Sequence, residues 1–331
     1  MLQKKIPAYL LLIFTIAGIT ATYLFTTSFS NNTIEPEVYQ PVEACNYRNV
    51  RLKGYTYTRP LLFGDKPCES ERLSNIKNKV SEVISAYKTA GTISTASVYL
   101  RLFNTSEWFQ IGETEKYNPG SLLKVPELIT FFRMNEKSPG LLNKKITYTK
   151  PLSLAKQALF VSKHIEVGHT YTIRELLHYM IAYSDNEATM LLNQQMDLDI
   201  FKKVFTDLGM ANPDMTKNDI PITIREYSLF LRVLFNASYL NIEDSEFCTG
   251  LLSQSDFDKG LLNGLPKGTR AAHKFGEAGD GVNSHFSEAG IIYLDNNPYL
   301  ITVMTKGRDP KALPAVVANI SRTIFDLSRT L

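Results

Sequence analysis

The sequence lacks the signatures of several large functional classes. It has no run of basic residues, and its 36 Lys and Arg residues nearly balance 33 Asp and Glu residues, for a formal net charge of +3. A net charge this small is not the electrostatic footprint of a nucleic-acid-binding protein. Zinc-ligand spacings and a glycine-rich phosphate loop are also missing. The sequence therefore predicts no nucleic-acid partner, no metal and no organic cofactor.

Cysteine is scarce, with three residues in the chain. Cys45 and Cys68 bracket a proline-interrupted segment, and outside the cytoplasm they could form a disulfide that closes it. Cys248 would then remain as a small buried apolar residue. Ordinary packing of all three thiols is the alternative. We interpret residues 28–70 as a linker or small appendage, because its prolines interrupt regular structure.

Charge is absent from one long segment near the N-terminus. Ile6 to Phe25 gives 20 mostly apolar residues, a length that suits a bilayer span. Lys4 and Lys5 precede the span, so the positive-inside rule places the N-terminus in the cytoplasm. Residues 1–27 are therefore predicted to be a single-pass signal anchor in the cell membrane, with the remaining chain on the extracytoplasmic side. A cleaved signal peptide, which would release a secreted protein, remains the alternative.

The rest of the chain has enough apolar residues for one sizeable domain. Hydrophobic residues make up 44% of the sequence, and residues 71–331 show a definite order of periodic segments. This order is a helix, two strands, a run of helices, three strands and a closing helix. It predicts an α/β (α+β) domain with one antiparallel sheet flanked by helices and a helical subdomain.

Three short motifs carry the chemical information. Ser121 and Lys124 form a Ser-x-x-Lys pair, which places a hydroxyl and an amine on one helix face. Ser184-Asp185-Asn186 follows 63 residues after Ser121, and Lys274-Phe275-Gly276 follows after 153 residues. A Ser-x-x-Lys pair alone is common and usually marks a solvated helix surface, but the ordered trio is much more specific.

With this trio, the chain resembles a class A β-lactamase-type serine hydrolase from about Glu71 to the C-terminus. The resemblance implies the β-lactamase/transpeptidase-like fold. It also implies roles for individual residues: Ser121 as nucleophile, Lys124 as its base and Ser184 as a relay to the leaving nitrogen. Asn186 would hold the substrate amide and Lys124, and Lys274 would keep the site electropositive. The oxyanion hole would use the backbone N–H groups of Ser121 and Glu277, beside the substrate-binding residues Lys274, Phe275 and Gly276.

Three departures from the family pattern are visible. The segment from Leu208 to Pro221 has no Glu-x-x-Leu-Asn pattern, so the deacylating Glu of class A enzymes is missing. Asp214 or Asp219 could replace it. Phe275 stands where a carboxylate-binding Thr or Ser is usual, and we expect its ring to cap that pocket, with burial in the core as the alternative. Ala289 takes the place of a frequent carboxylate-binding Arg, for which Arg270 or Arg308 could compensate.

These features predict a membrane-anchored serine hydrolase that cleaves an amide through an acyl-serine intermediate. Its substrate would be a β-lactam or a peptidoglycan-type peptide, and deacylation would be slow. A D,D-carboxypeptidase-like peptidoglycan enzyme and a catalytically silent binding module are the alternatives.

Overall fold

The computed structural model describes residues 45, 47–152, 160, 162–217, 220–294 and 297–329. These residues belong to one compact unit, Cys45–Leu331. The predicted anchor over residues 1–27 lies outside the described ranges. Within those ranges, no helix is both long enough and apolar enough to cross a bilayer.

The described elements alternate much as the periodic segments of the sequence predict. The strands are β1 Arg48–Arg51, β2 Leu61–Asp65, β3 Ile93–Leu102, β4 Trp108–Ile111, β5 Lys145–Thr147, β6 Thr170–Thr172, β7 Arg270–Ala278, β8 Ser284–Tyr293 and β9 Tyr299–Gly307. The helices are α1 Ser74–Thr89, α2 Lys124–Lys137, α3 Ile173–Ala182, α4 Asn186–Asn193, α5 Leu198–Asp207, α6 Ile224–Phe235, α7 Ile242–Leu252 and α8 Leu313–Ser328.

A five-stranded antiparallel sheet forms the centre of the domain, with strand order β4-β3-β9-β8-β7. Both of its faces are covered, which explains why β8 and β9 are buried along almost their whole length. One face packs on α1 and α8, and the other packs on the helices between β4 and β7. The predicted antiparallel sheet with flanking helices and a helical subdomain is confirmed.

Two helices begin at capping boxes that are visible in the sequence. The Thr172 hydroxyl accepts a hydrogen bond from the Glu175 N–H, and the Glu175 carboxylate accepts one from the Thr172 N–H. Thr223 and Glu226 repeat the arrangement at the start of α6. Each cap satisfies N–H groups that the helix itself leaves without partners, and contributes about 1 kcal/mol. Glu226 is therefore committed to a helix start.

The described part of the segment before α1, which was predicted to be a linker or small appendage, contains a hairpin. Strands β1 and β2 pair as an antiparallel hairpin, and a disulfide joins Cys45 to Cys68. Leu62 and Phe63 of β2 are buried in the main hydrophobic core. The compact unit consequently begins before the predicted boundary at residue 71, because these apolar side chains anchor the hairpin to it. Cys248 is a buried free thiol.

Candidate active site

The turn that carries Ser121 lies directly against strand β7. A Cβ atom on Gly120 would come within 2.1 Å of the Glu277 carbonyl oxygen, and one on Gly276 would come within 2.2 Å of the Pro119 carbonyl oxygen. Gly120 also has a φ of +52°, a conformation that glycine adopts readily. Both glycines are therefore needed for this approach. It brings the backbone around Ser121 beside the backbone of Glu277, as an oxyanion hole between them requires.

Ser121 is held by its backbone and leaves its hydroxyl available. The residue lies in a short 3₁₀ turn, Gly120–Leu123, which runs into α2. The buried Tyr227 hydroxyl donates a hydrogen bond to the Leu122 carbonyl at 3.1 Å and so helps to hold the turn in place. Among the described residues, no side chain or backbone group hydrogen-bonds the Ser121 hydroxyl. This half-buried hydroxyl therefore remains open to a substrate.

Lys124 points from α2 into the Ser184 loop. Its Nζ donates to the Ser184 carbonyl at 2.6 Å, to Asn186 Oδ1 at 2.8 Å and to Ser184 Oγ at 3.2 Å. The residue is 3% exposed. The structure thus brings Lys124, Ser184 and Asn186 together as the motifs predict.

Lys274 reaches the same hydroxyl from the opposite side. Its Nζ donates to Ser184 Oγ at 2.9 Å and to the Phe275 carbonyl at 3.0 Å, in a fully buried position. Ser184 Oγ consequently lies between two amines. Two full positive charges cannot share so small a buried space without a large electrostatic penalty. At least one amine is driven toward its neutral form, in which it can accept a proton.

The Ser184 loop is strained and firmly fixed. Ser184 has a φ of +56°, which a residue with a Cβ adopts at an energetic cost. Asp185 holds the loop in place, since its carboxylate accepts hydrogen bonds from the backbone N–H groups of Glu187 and Ile165, both at 2.9 Å. Asp185 thereby caps α4 and ties the loop to the chain before α3. This rigidity keeps Ser184 Oγ between the two amines.

Burial changes the proton affinity of the site. It lowers the pKa of Lys124 to about 8, although the carboxylates of Glu127, Asp185 and Glu277 act to raise it. It lowers the pKa of Lys274 well below the ordinary lysine value, and the charge of Lys124 lowers it further. A lysine with a pKa near neutrality is suited to general-base work. The site therefore has the electrostatic setting that activation of Ser121 requires.

Phe275 lies at the edge of the site with most of its ring in the hydrophobic core. The ring is 4% exposed and stacks on Phe257 at 4.1 Å between centroids. Its other neighbours include Lys274, whose Nζ lies 4.2 Å from the ring centroid. Phe275 also lines a cavity of about 360 Å³ with Tyr183 and Asp256. The ring is therefore buried in the core, which was the alternative considered from the sequence, and the capping of a carboxylate pocket stays a prediction.

Two of the residues considered as replacements for missing family groups, Asp214 and Arg270, have other partners. Asp214 is exposed, and its carboxylate accepts hydrogen bonds from the N–H and hydroxyl of Thr216. Asp219 lies outside the described residues. The Arg270 guanidinium stacks on the Tyr293 ring at 4.7 Å. Ala289 is paired with Lys274 in the sheet.

Glu127 is a buried acidic residue that the motif analysis missed. It lies one helical turn beyond Lys124 on α2 and is 8% exposed. Burial raises its pKa to about 7, although Lys124 and a hydrogen bond from Asn193 act in the opposite direction. The available sequence signal was a single Glu inside the apolar stretch after Lys124. Within the described ranges, no group of three or more His, Cys, Asp or Glu side chains could hold a metal ion.

Comparison with known proteins places this site in a family. The model of the beta-lactamase enzyme family matches residues 75–327. The beta-lactamase VEB-1 of Pseudomonas aeruginosa is 24% identical over 242 residues, which cover 67% of this chain and 79% of that protein.

Solved structures show the same fold. PBP-A superposes with a TM-score of 0.65 at 19% identity and covers 78% of this chain and 97% of its own. A class A beta-lactamase from Mycobacterium abscessus superposes with a TM-score of 0.64 at 19% identity, over 77% of this chain and 99% of its own. The protein therefore belongs to the beta-lactamase enzyme family, with the fold of class A-like serine hydrolases that act on C–N bonds.

Proposed function

We propose that the protein cleaves an amide through an acyl-Ser121 intermediate, with a β-lactam or a peptidoglycan-type peptide as substrate. The placement of Ser184 Oγ between Lys124 and Lys274, with Ser121 one helical turn before Lys124, is the observation that carries the proposal. A neutral Lys124 would take the Ser121 proton as Oγ attacks the carbonyl carbon. Ser184 would pass a proton to the leaving nitrogen.

The backbone supports the tetrahedral intermediate. The N–H groups of Ser121 and Glu277 would donate to the developing oxyanion, and each such donor typically contributes about 3 kcal/mol. The close approach enforced by Gly120 and Gly276 supports this pairing. Among the relatives, a mutant of PBP-A has been solved as an acyl-enzyme complex with penicillin G. An analogous complex of this chain would carry the acyl group on Ser121.

We expect the acyl-enzyme to accumulate, because the loop Glu that activates the deacylating water in class A enzymes is missing. Intact-mass analysis of the protein mixed with a penicillin should show one added acyl mass, and stopped-flow kinetics should show a burst followed by weak turnover. Rapid multiple turnover without a detectable acyl-enzyme would contradict slow deacylation. Failure of every β-lactam and acylating ester probe to add mass would contradict the proposed function and favour a silent binding module.

We expect Phe275→Thr to increase the preference for substrates that bear a carboxylate. The new hydroxyl would supply one charge-assisted hydrogen bond, typically 1.5–3 kcal/mol, so the ratio of acylation rates for a carboxylate-bearing β-lactam and a neutral ester should rise by about ten-fold. The ratio is informative even if loss of the stacked ring lowers stability. Phe257→Thr is the matched control, because it removes the stacking partner without placing a hydroxyl on β7. An equal ratio in both variants would show that Phe275 only packs.

The proposal extends to the membrane. Ile6 to Phe25 has the length of a span, and Lys4 and Lys5 favour a cytoplasmic N-terminus. The disulfide between Cys45 and Cys68 supports an oxidising compartment for the domain. Protease added to intact spheroplasts should therefore digest the chain beyond Phe25, while a cytoplasmic marker protein survives. Protection of that region until the cells are lysed would refute the topology.

A further inference from the structure

Glu127 is a buried carboxylate for which the proposed reaction has no assigned role. It lies on the same helix as Lys124, three residues later, and helix geometry turns its side chain back toward the preceding turn. Within the described part of the chain, its Oε2 atom has no hydrogen-bond partner. An uncompensated buried acceptor destabilises a protein. Packing alone would favour leucine or alanine at this helix position.

We propose that Glu127 is a positioning residue whose carboxylate sets the charge state of Lys124 and thereby its strength as a base toward Ser121. The inference rests on the proposed function, in which Lys124 takes the Ser121 proton. It concerns the proton on Lys124 Nζ. Ser121 precedes Lys124 by three residues and Glu127 follows it by three, so Lys124 lies between the two along the helix.

Among the other charged groups around Lys124, Asp185 and Lys274 are already engaged. Asp185, from the Ser184 loop, accepts two backbone N–H groups, and His164 Nδ1 lies 3.6 Å from its Oδ1. Strand β7 contributes Lys274, which repels a charge on Lys124, and Glu277, which favours it. Glu127 is the strongest of the three carboxylates that favour the protonated amine. Its partly uncommitted carboxylate leaves it free to respond to the charge on Lys124.

The chemical consequence follows from proton balance. In acylation, the Ser121 O–H bond breaks, a bond forms between Oγ and the substrate carbonyl carbon, and the proton forms a new N–H bond on Lys124. A nearby carboxylate stabilises the resulting ammonium, so it makes Lys124 a stronger base. It also extends to higher pH the range in which Lys124 is already protonated and cannot act. Glu127 offsets part of the effect of burial on the pKa of Lys124. It thereby keeps this pKa near the working pH, where a general base is most efficient.

The test is a titration of Lys124 in the full-length chain, followed by NMR of ε-¹³C-labelled lysines and assigned by the signal lost in Lys124→Met. We expect Glu127→Gln to lower the pKa of Lys124 by about one pH unit. Glutamine keeps the shape and an acceptor for the Asn193 hydrogen bond. Glu136→Gln, which removes the other glutamate of α2, should leave the titration unchanged. An unshifted Lys124 titration in folded Glu127→Gln would overturn the proposal.

A second variant covers the case in which Glu127→Gln does not fold. Asn193 is exposed and its hydrogen bond lowers the pKa of Glu127, so Asn193→Ala should protonate Glu127 more readily. The Lys124 titration should then move in the same direction by a smaller amount, and no movement in Asn193→Ala would again count against the proposal.

Acylation kinetics give a separate readout. The acid limb of the acylation rate should move to lower pH in Glu127→Gln, together with the NMR titration. If no probe acylates Ser121 while the titration still shifts, the proposed function fails and the role of Glu127 in setting the charge of Lys124 stands. If acylation proceeds with an unmoved acid limb and titration, the proposed function stands and the role of Glu127 fails.

Discussion

Replacing Ser121 with alanine is expected to abolish covalent labelling by β-lactams and acylating esters, with a loss of at least about 10³-fold in the labelling rate. The other hydroxyl of the cluster and its two amines are engaged with one another: Ser184 Oγ contacts both Lys124 and Lys274. Ser121 lies one helical turn before Lys124 and is the proposed nucleophile. Removing it leaves the site without an atom that can form the acyl bond. Intact-mass analysis after exposure to the probe measures the effect directly.

Two controls make this result specific. Ser74 begins another Ser-x-x-Lys pair, but it lies at the start of α1, on the opposite side of the sheet. Ser74→Ala should therefore label at the rate of the unmodified protein. Ser184→Ala should still be labelled, but at a reduced rate, because the substitution removes the proton relay and keeps the nucleophile. Acyl mass that persists in Ser121→Ala would show that another residue is the nucleophile.

The local parts of this architecture could be predicted from sequence. A capping box needs only two residues three positions apart, so the starts of α3 and α6 are visible in the sequence. Strand alternation needs only a short window, and the antiparallel sheet was predicted correctly. Ser121, Lys124, Ser184 and Lys274 were predicted because each belongs to a short motif whose order is fixed along the chain. The structure brings three of them, Lys124, Ser184 and Lys274, within hydrogen-bond distance of one another, with Ser121 one helical turn before Lys124.

Features that depend on contacts between distant segments were not predicted. Gly276 was recognised as part of a motif, yet its requirement comes from the Pro119 carbonyl, far away in sequence. The segment that contains the hairpin before α1 was interpreted as a linker or small appendage, because its prolines carry a local signal and its buried anchor residues do not. Glu127 was overlooked since a lone Glu in a helix is usually solvated, and only the packing of α4 against it shows its burial.

A second large effect is expected from Asp65→Asn, which should remove about 3–5 kcal/mol of stability. Asp65 is 6% exposed and lies among three arginines, with its oxygens 2.7 Å from Arg225, 3.3 Å from Arg232 and 3.5 Å from Arg101. Arg101 and Arg232 are themselves buried. Asparagine preserves the shape and removes the charge. The midpoint temperature of thermal unfolding should therefore fall by about 5–15 °C for a domain of this size.

The expected loss of stability is large because few groups other than Asp65 compensate the positive charges of the buried arginines. The Arg232 guanidinium lies 4.3 Å from the Phe63 ring and donates to the Gly64 carbonyl at 3.0 Å, but neutral partners replace lost hydration only in part. Without the Asp65 carboxylate, buried positive charges would face one another. Glu82→Gln is the matched control, because it neutralises an exposed partner of Lys79 and should cost at most about 0.5 kcal/mol. A loss in Asp65→Asn as small as in this control would mean that water reaches the arginines and that the hairpin is held by Leu62 and Phe63 alone.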